Sequence, residues 1–213
     1  MRVSQLCELS GVPLPSIKYY LREGLLPAGE RTSATQAVYD ESHVERLRLI
    51  RALLEVGGLS VATAQRVLAA IDFPDLPLSH IFGVAQYAVS DAALYEEVDA
   101  MSPGLAHVDA TIERMGWSVT DENPGRHGAA RILDTYAALG QTALSTISPE
   151  YAQAAELVAA ADLAAVARST ETADMAETVV VGTVLGDGLL ASLRRIAQEN
   201  LAHQNWAQPR SEK

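Results

Sequence analysis

The stretch GVPLPSIKYYLREGLLP, residues 11–27, decides how this chain folds and what it does. Two prolines, Pro13 and Pro15, precede a short run with helical spacing, and Gly24 ends it. Within the run, Ile17, Tyr20 and Leu21 stand at i, i+3 and i+4 and form one apolar stripe. Lys18, Tyr19 and Arg22 then fall on the other side. The pattern predicts a helix over roughly 14–23, with Pro15 in the first turn, where its missing N–H removes no hydrogen bond. The result is a short, rigidly started helix with a basic, aromatic free face.

Upstream, residues 4–10 read as a helix with Ser4 as its cap, Leu6 and Leu9 facing inward, and Gly11 as its stop. Downstream, PAGERTSATQAVY (27–39) has turn residues and no helical period, which suits a loop or short hairpin. A third helix starts near Glu41, carries Val44, Leu47, Ile50, Leu53 and Leu54 on one side, and stops at Gly57–Gly58. Ser60 caps a fourth, with Val61, Ala64, Val67, Leu68 and Ile71 on one face. DFPDLPL (72–78) breaks the pattern, because Pro74 and Pro77 each remove a helix hydrogen bond. The expected organisation is a domain over 1–71, a linker over 72–78, and an alanine-rich helical domain over 79–213. Helices are expected near 79–100, 103–116, 125–147, 149–168 and 172–204. Val179–Val181 favours a strand by propensity, but Leu185, Leu189, Leu193 and Ile196 at helical spacing favour a helix. The fold class is mostly α.

Composition bounds the function. The chain has 213 residues, is 48% hydrophobic and has a mean hydropathy of +0.07, which is globular. No run approaches 18 consecutive apolar residues, so no membrane span is expected, and the first residues lack the apolar core of a secretory signal, so a cytoplasmic protein is expected. The net charge is −11, unevenly spread. Residues 1–72 hold eight cations and eight anions; the remainder holds eight cations and nineteen anions. A neutral piece with clustered cations joined to an acidic piece predicts two domains with different partners. One cysteine, Cys7, forms no internal disulfide or thiolate cluster and reads as a small core residue rather than a redox sensor. His80, His107, His127 and His203 are scattered, so no metal or other cofactor is expected. No G-x-S-x-G, P-loop or HExxH occurs, and no enzyme is expected.

Two short helices joined at a glycine, the second with cations and an aromatic outward, form a helix-turn-helix pattern suited to the major groove. The same pattern also suits a small helical domain with a solvated face. The wider sequence narrows the choice. RVSQLCELSGVPLPSIKYYLREGLLP followed by ERTSATQAVYDESHVERLRLIRALLEVGGLSVATAQRVL resembles the DNA-binding domain of the MerR family over residues 2–71. The resemblance implies a winged helix-turn-helix that binds a palindromic promoter operator as a homodimer and deforms the duplex for RNA polymerase, at a deformation cost of about a few kcal/mol. It implies DNA contacts from Lys18, Tyr19, Arg31 and Tyr39, with Tyr39 partly structural; Arg22, one turn from Lys18, and the polar Ser16 and Thr32 complete the expected contact set. Arg46 is added to this set as a compensating cation. Pro13 replaces a capping Ser or Thr, Pro15 replaces an Arg, and Gln36–Ala37 replace a Tyr-Arg pair, which predicts weaker or redirected phosphate anchoring.

The second domain holds no cysteine, so a thiolate metal sensor is excluded. Its layout is similar to the ligand-binding half of TetR-family regulators, which implies a small organic effector; the alternative is a ligand-independent module for dimerisation or protein docking. Trp117, Tyr136, Tyr87 and Met115 are the expected pocket residues. Gly182, Gly186 and the leucines after them mark the last helix as the expected dimer seam.

Overall fold

The computed structural model describes residues 1–32, 36–73, 76–90 and 96–206. The chain forms ten α-helices and one two-stranded sheet among them, and divides into two compact units. Residues 1–76 group with those from Val180 onward; residues 77–179 form the other unit.

In the first unit, α1 (Val3–Ser10) and α2 (Leu14–Arg22) meet at Gly11, whose φ of 67° no β-carbon tolerates well. The cap of α1 is Arg2 rather than the expected Ser4: the Arg2 N–H donates to Gln5 Oε1 at 2.9 Å, so Ser4 lies inside the first turn. Leu9 is also not inward; it is 53% exposed, because Leu6 takes the core position one turn earlier. Buried Ser10 is satisfied locally, donating to the Leu6 carbonyl at 2.6 Å and accepting from the Val12 N–H at 3.2 Å. Pro13 is the N-cap of α2 and offers no side-chain cap; Pro15 occupies its first turn. Gly24, at φ 72°, closes α2, with the Leu25 N–H donating back to the Tyr20 carbonyl at 2.9 Å.

Strands β1 (Glu30–Arg31) and β2 (Ala37–Val38) pair antiparallel, Glu30 opposite Val38 and Arg31 opposite Ala37. The wing tip, residues 33–35, lies outside the described residues. Gly29 is required at the wing's base: a β-carbon there would stand 2.6 Å from the Val38 carbonyl and 2.9 Å from the Tyr39 ring. Helix α3 (Glu41–Arg51) is capped by Asp40, which accepts from the His43 N–H at 3.4 Å and lies 2.7 Å from His43 Nδ1. Its last turn, Ala52–Val56, widens to a π-helix before Gly57 and Gly58. Ser60 caps α4 (Val61–Ile71), accepting from the Thr63 N–H at 3.1 Å. The core is Leu6, Val12, Ile17, Leu25, Leu26, Val44, Leu47, Ile50, Leu53, Val67 and Leu68.

The second unit contains α5 (Leu78–Val89), α6 (Pro103–Met115), α7 (Pro124–Ala138), α8 (Thr142–Ser145), α9 (Ser148–Val166) and the start of α10 (Thr172–Trp206). The first of these ends at Val89, short of the expected residue 100, and the expected 125–147 helix is split by Gly140 at φ 69°. Pro74, expected as a breaker, falls outside the described residues; Pro77 is the N-cap of α5. Helices α6 and α7 cross closely because Gly104 lies against the Ala130 carbonyl, where a β-carbon would approach to 2.2 Å. Asp134 fixes the crossing by accepting from Ser102 Oγ at 2.5 Å and from the Gly104 N–H at 2.7 Å. Arg126 adds a two-pronged ion pair to Asp109, at 2.7 and 2.9 Å. This pair holds the Asp109 carboxyl below its ordinary pKa.

Val179–Val181 is helical. From Val180 on, α10 belongs with the first unit, and Val184 Cγ1 stands where a β-carbon on Gly57 would be, 2.4 Å away. By length and composition alone α10 could cross a membrane, with a mean hydropathy of 1.4 over its apolar window. Part of that apolar content packs within the chain: Ala176, Val179, Val180 and Val184 are buried.

Candidate nucleic-acid interface

Burial and exposure divide α2 as its sequence period requires. Ile17 is fully buried and Tyr20 nearly so, while Leu21 is half-buried. Burial, with Glu55 nearby, pushes the Tyr20 hydroxyl above its ordinary pKa, which keeps it neutral in the core. Lys18 and Arg22 are exposed and Tyr19 is half-exposed on the opposite side. Ser16 is half-buried in the first turn. The Arg22 guanidinium lies 5.0 Å from the Tyr19 ring centre, within cation–π range, and its Nε is 3.1 Å from Glu23 Oε1. The Arg22 side chain is 70% exposed, so this ion pair is weak and readily exchanged for a phosphate.

On the wing, Arg31 and Thr32 are exposed. The Thr32 N–H donates to the Gln36 carbonyl at 3.0 Å, which holds the strand ends together. Tyr39 is buried at 9% exposure, edge-on to His43 with ring centres 5.1 Å apart, and its N–H donates to the Met1 carbonyl at 2.8 Å. Its place is in the packing at the wing's base rather than on an outer surface.

Arg46 departs from its expected role as an outward-facing cation. Its Nη1 and Nη2 bind the Asp72 carboxylate at 2.9 and 2.5 Å, and its Nε donates to the Leu25 carbonyl at 3.0 Å. With a side chain only 11% exposed, it ties α3 to the end of α4 and to the loop after α2. Gln65 on α4 was not anticipated: its Nε2 donates to the Glu23 carbonyl at 2.5 Å and pins the C-terminal end of α2. No periodicity marks it, since the partner carbonyl lies 42 residues away. Arg2 and Arg48 are exposed and remain available as cations on α1 and α3.

Two of the four expected pocket residues of the second unit are engaged in hydrogen bonds within it. The Trp117 indole N–H donates to Glu156 Oε1 on α9 at 3.1 Å, and Tyr87, 54% exposed, donates its hydroxyl to the Glu122 carbonyl at 2.8 Å. Met115 and Tyr136 are half-buried. A cleft of about 380 Å³ lies instead beside α7, lined by Glu97, Val98, Asp99, Arg131, Asp134 and Thr135, with none of the four. Among the described residues no three His, Cys, Asp or Glu side chains are grouped to hold a metal.

Comparison with known proteins agrees with this geometry. The profile of the MerR HTH family regulatory proteins matches residues 1–71. The HTH-type transcriptional regulator MerD of Shigella flexneri is 31% identical over 113 residues, which is 53% of this chain and 87% of that protein. The nodulation protein NolA of Bradyrhizobium elkanii is 41% identical over 56 residues, and this chain spans only about a quarter of its length (26%). The solved structure of SCO5550 from Streptomyces coelicolor A3(2) superposes with a TM-score of 0.72 at 33% identity, covering 98% of this chain and 99% of that one. A winged helix-turn-helix in the first unit, matched by family, sequence and whole-chain structure, places the chain in the MerR family of helix-turn-helix transcription regulators.

Proposed function

We propose that the chain binds a palindromic promoter operator as a homodimer, inserting α2 into the major groove and laying the wing along the backbone. One observation carries this: α2 keeps Lys18, Tyr19 and Arg22 on a free face while Ile17 and Tyr20 fix its other side in the core. Lys18 and Arg22 reach phosphates one helical turn apart, Tyr19 stacks under Arg22 and donates to backbone oxygen, and Arg31 and Thr32 contact phosphates from the wing. Ser16 faces the duplex from the first turn. Bending the promoter spacer so that RNA polymerase can engage it follows from the same docking. The test is a salt series of binding to the DNA upstream of the chain's own gene, against scrambled duplex. Specific binding whose logarithm falls linearly with log salt is expected. A folded dimer that binds neither duplex at low salt overturns the proposal.

For the helical unit we propose recognition of a small organic effector. The cleft beside α7 supports it. The engagement of Trp117 and Tyr87 in hydrogen bonds within the unit favours the second reading, a unit that serves assembly or docking only. Melting temperature across a compound panel separates the two: a true effector stabilises as ln(1 + [L]/Kd).

A further inference from the structure

The free face of α2 changes character along its length. At roughly 100° per residue, Lys18, Tyr19 and Arg22 share one side of the helix. Pro15 lies on that same side, one turn before Tyr19 and two before Arg22. Pro15 is exposed, and so are Pro13 and Leu14 beside it, Leu14 by 38%. The later part of the face is therefore basic and aromatic, whereas the first turn is apolar. None of the side chains of Pro13, Leu14 and Pro15 carries a hydrogen-bonding group, and each proline also lacks its backbone N–H. Ser16, half-buried, is the polar side chain of that turn, and a hydroxyl pairs with donors and acceptors alike. The rotation of the helix is fixed. Ile17 and Tyr20 are buried on its other side, and Gln65 holds its far end through the Glu23 carbonyl.

We infer that Pro15, with the exposed part of Leu14 beside it, reads the 5-methyl group of thymine in the operator. This rests on the operator docking proposed above and names how its sequence is chosen. A recognition helix meets base edges with its N-terminal residues. Lys18, Tyr19 and Arg22 are taken up by the backbone in that docking, so the base-facing turn offers a hydrocarbon surface. In the major groove guanine presents two acceptors, adenine an acceptor and a donor, and cytosine a donor; thymine alone adds a methyl group to its acceptor. A pyrrolidine ring pressed on guanine strips water from O6 and N7 and returns no donor, which disfavours that base. Against thymine the ring buries the methyl group and leaves O4 to water or to the Ser16 hydroxyl. The turn thus selects thymine by contact and rejects guanine by leaving its acceptors unpaired. Phosphate contacts carry no sequence information, so discrimination at this position falls to the two apolar side chains.

The test removes the methyl group and keeps the base pair. The duplex upstream of the chain's own gene is made with deoxyuridine in place of every thymidine. Binding of the full chain to it is compared with the thymidine duplex and with a scrambled duplex of each kind. Burying one methyl group is worth about fourfold in affinity, so two half-sites give about fifteenfold. The wild type is expected to lose about that factor on the deoxyuridine duplex, with its salt slope unchanged. Pro15→Ser is expected to lose most of this difference while keeping the wild-type salt slope, which shows that the helix and its phosphate contacts are intact. Pro15→Arg is expected to bind both duplexes with a steeper salt slope and the same indifference to the methyl groups, because its added charge serves any sequence. A wild type indifferent to the methyl groups, or variants that keep its full loss, overturns the reading of thymine by this turn and leaves operator binding standing. A folded wild type that prefers neither duplex to scrambled DNA overturns the operator reading, and the reading of thymine with it.

Discussion

Gly57→Ala tests the contact by which α10 joins the first unit. The backbone there is ordinary, at φ −74° and ψ −13°, so alanine meets no conformational penalty. A less flexible unfolded chain would by itself stabilise the protein by about 0.4–1 kcal/mol. Space decides the sign instead. The new methyl would stand 2.4 Å from Val184 Cγ1 and 2.9 Å from the Leu53 carbonyl oxygen. The valine is stiff at χ1 and the carbonyl is backbone, so neither yields cheaply. Overpacking of this kind costs about 1–3 kcal/mol, which gives a net loss of about 1–2 kcal/mol. Val184→Ala alone loses two methyl groups of burial, also about 1–2 kcal/mol. Combined, the two changes relieve the side-chain clash but not the carbonyl contact. The double variant is therefore expected to lose about 1 kcal/mol less than the sum of the single losses. Urea unfolding of the four proteins at unchanged m-value reads these terms. A Gly57→Ala protein as stable as the wild type, or strictly additive losses, refutes the packing of Val184 on Gly57.

Three further outcomes follow from other contacts. Arg46→Ala should lower stability by about 1–3 kcal/mol, by leaving the Leu25 carbonyl and Asp72 without their donor. It should leave the salt slope of DNA binding unchanged, while Lys18→Ala or Arg22→Ala lowers that slope by about one unit each; a reduced slope for Arg46→Ala would put it back on the DNA. Hydrogen bonds from Ser42 and then His43 hold the Asp40 carboxyl down to about 2, so its capping contribution is complete above its unfolded value near 3.8 and disappears as pH falls through about 2. Asp40→Ala should accordingly melt below the wild type at pH 7, with the gap closing between about pH 4 and pH 2; a gap independent of pH contradicts the capping role. Pro15→Arg should tighten operator binding and steepen its salt dependence, and an unchanged affinity would mean that the first turn of α2 does not face DNA.

The first unit was legible because its signals are local. The stripe of Ile17 and Tyr20, the glycines at 11, 24 and 57–58, and the cap at Ser60 each act within a few residues. What escaped was set by distant partners. Nothing near Arg46 announces Asp72, 26 residues on, and nothing near Gln65 announces the Glu23 carbonyl. Leu9 was misplaced because an eight-residue helix has room for a single inward turn, and Leu6 fills it. In the second unit alanine-rich helices have little amphipathic contrast. The helix end at Gly140 is therefore not marked by the residues around it. The last helix was foreseen, but not that its middle returns to the first unit.

That return has a kinetic consequence. The first unit is discontinuous in sequence: 103 residues, from Pro77 to Val179, separate its two pieces. During synthesis the leading 76 residues leave the ribosome without Val180 and Val184, and wait for a whole second unit to be made before they arrive. The Gly57–Val184 contact spans 127 positions, a loop closure far longer than any within the helix-turn-helix itself. Maturation of the DNA-binding unit is thus timed by the synthesis of α10, and a fragment ending at residue 76 reproduces the unit before that step rather than after it.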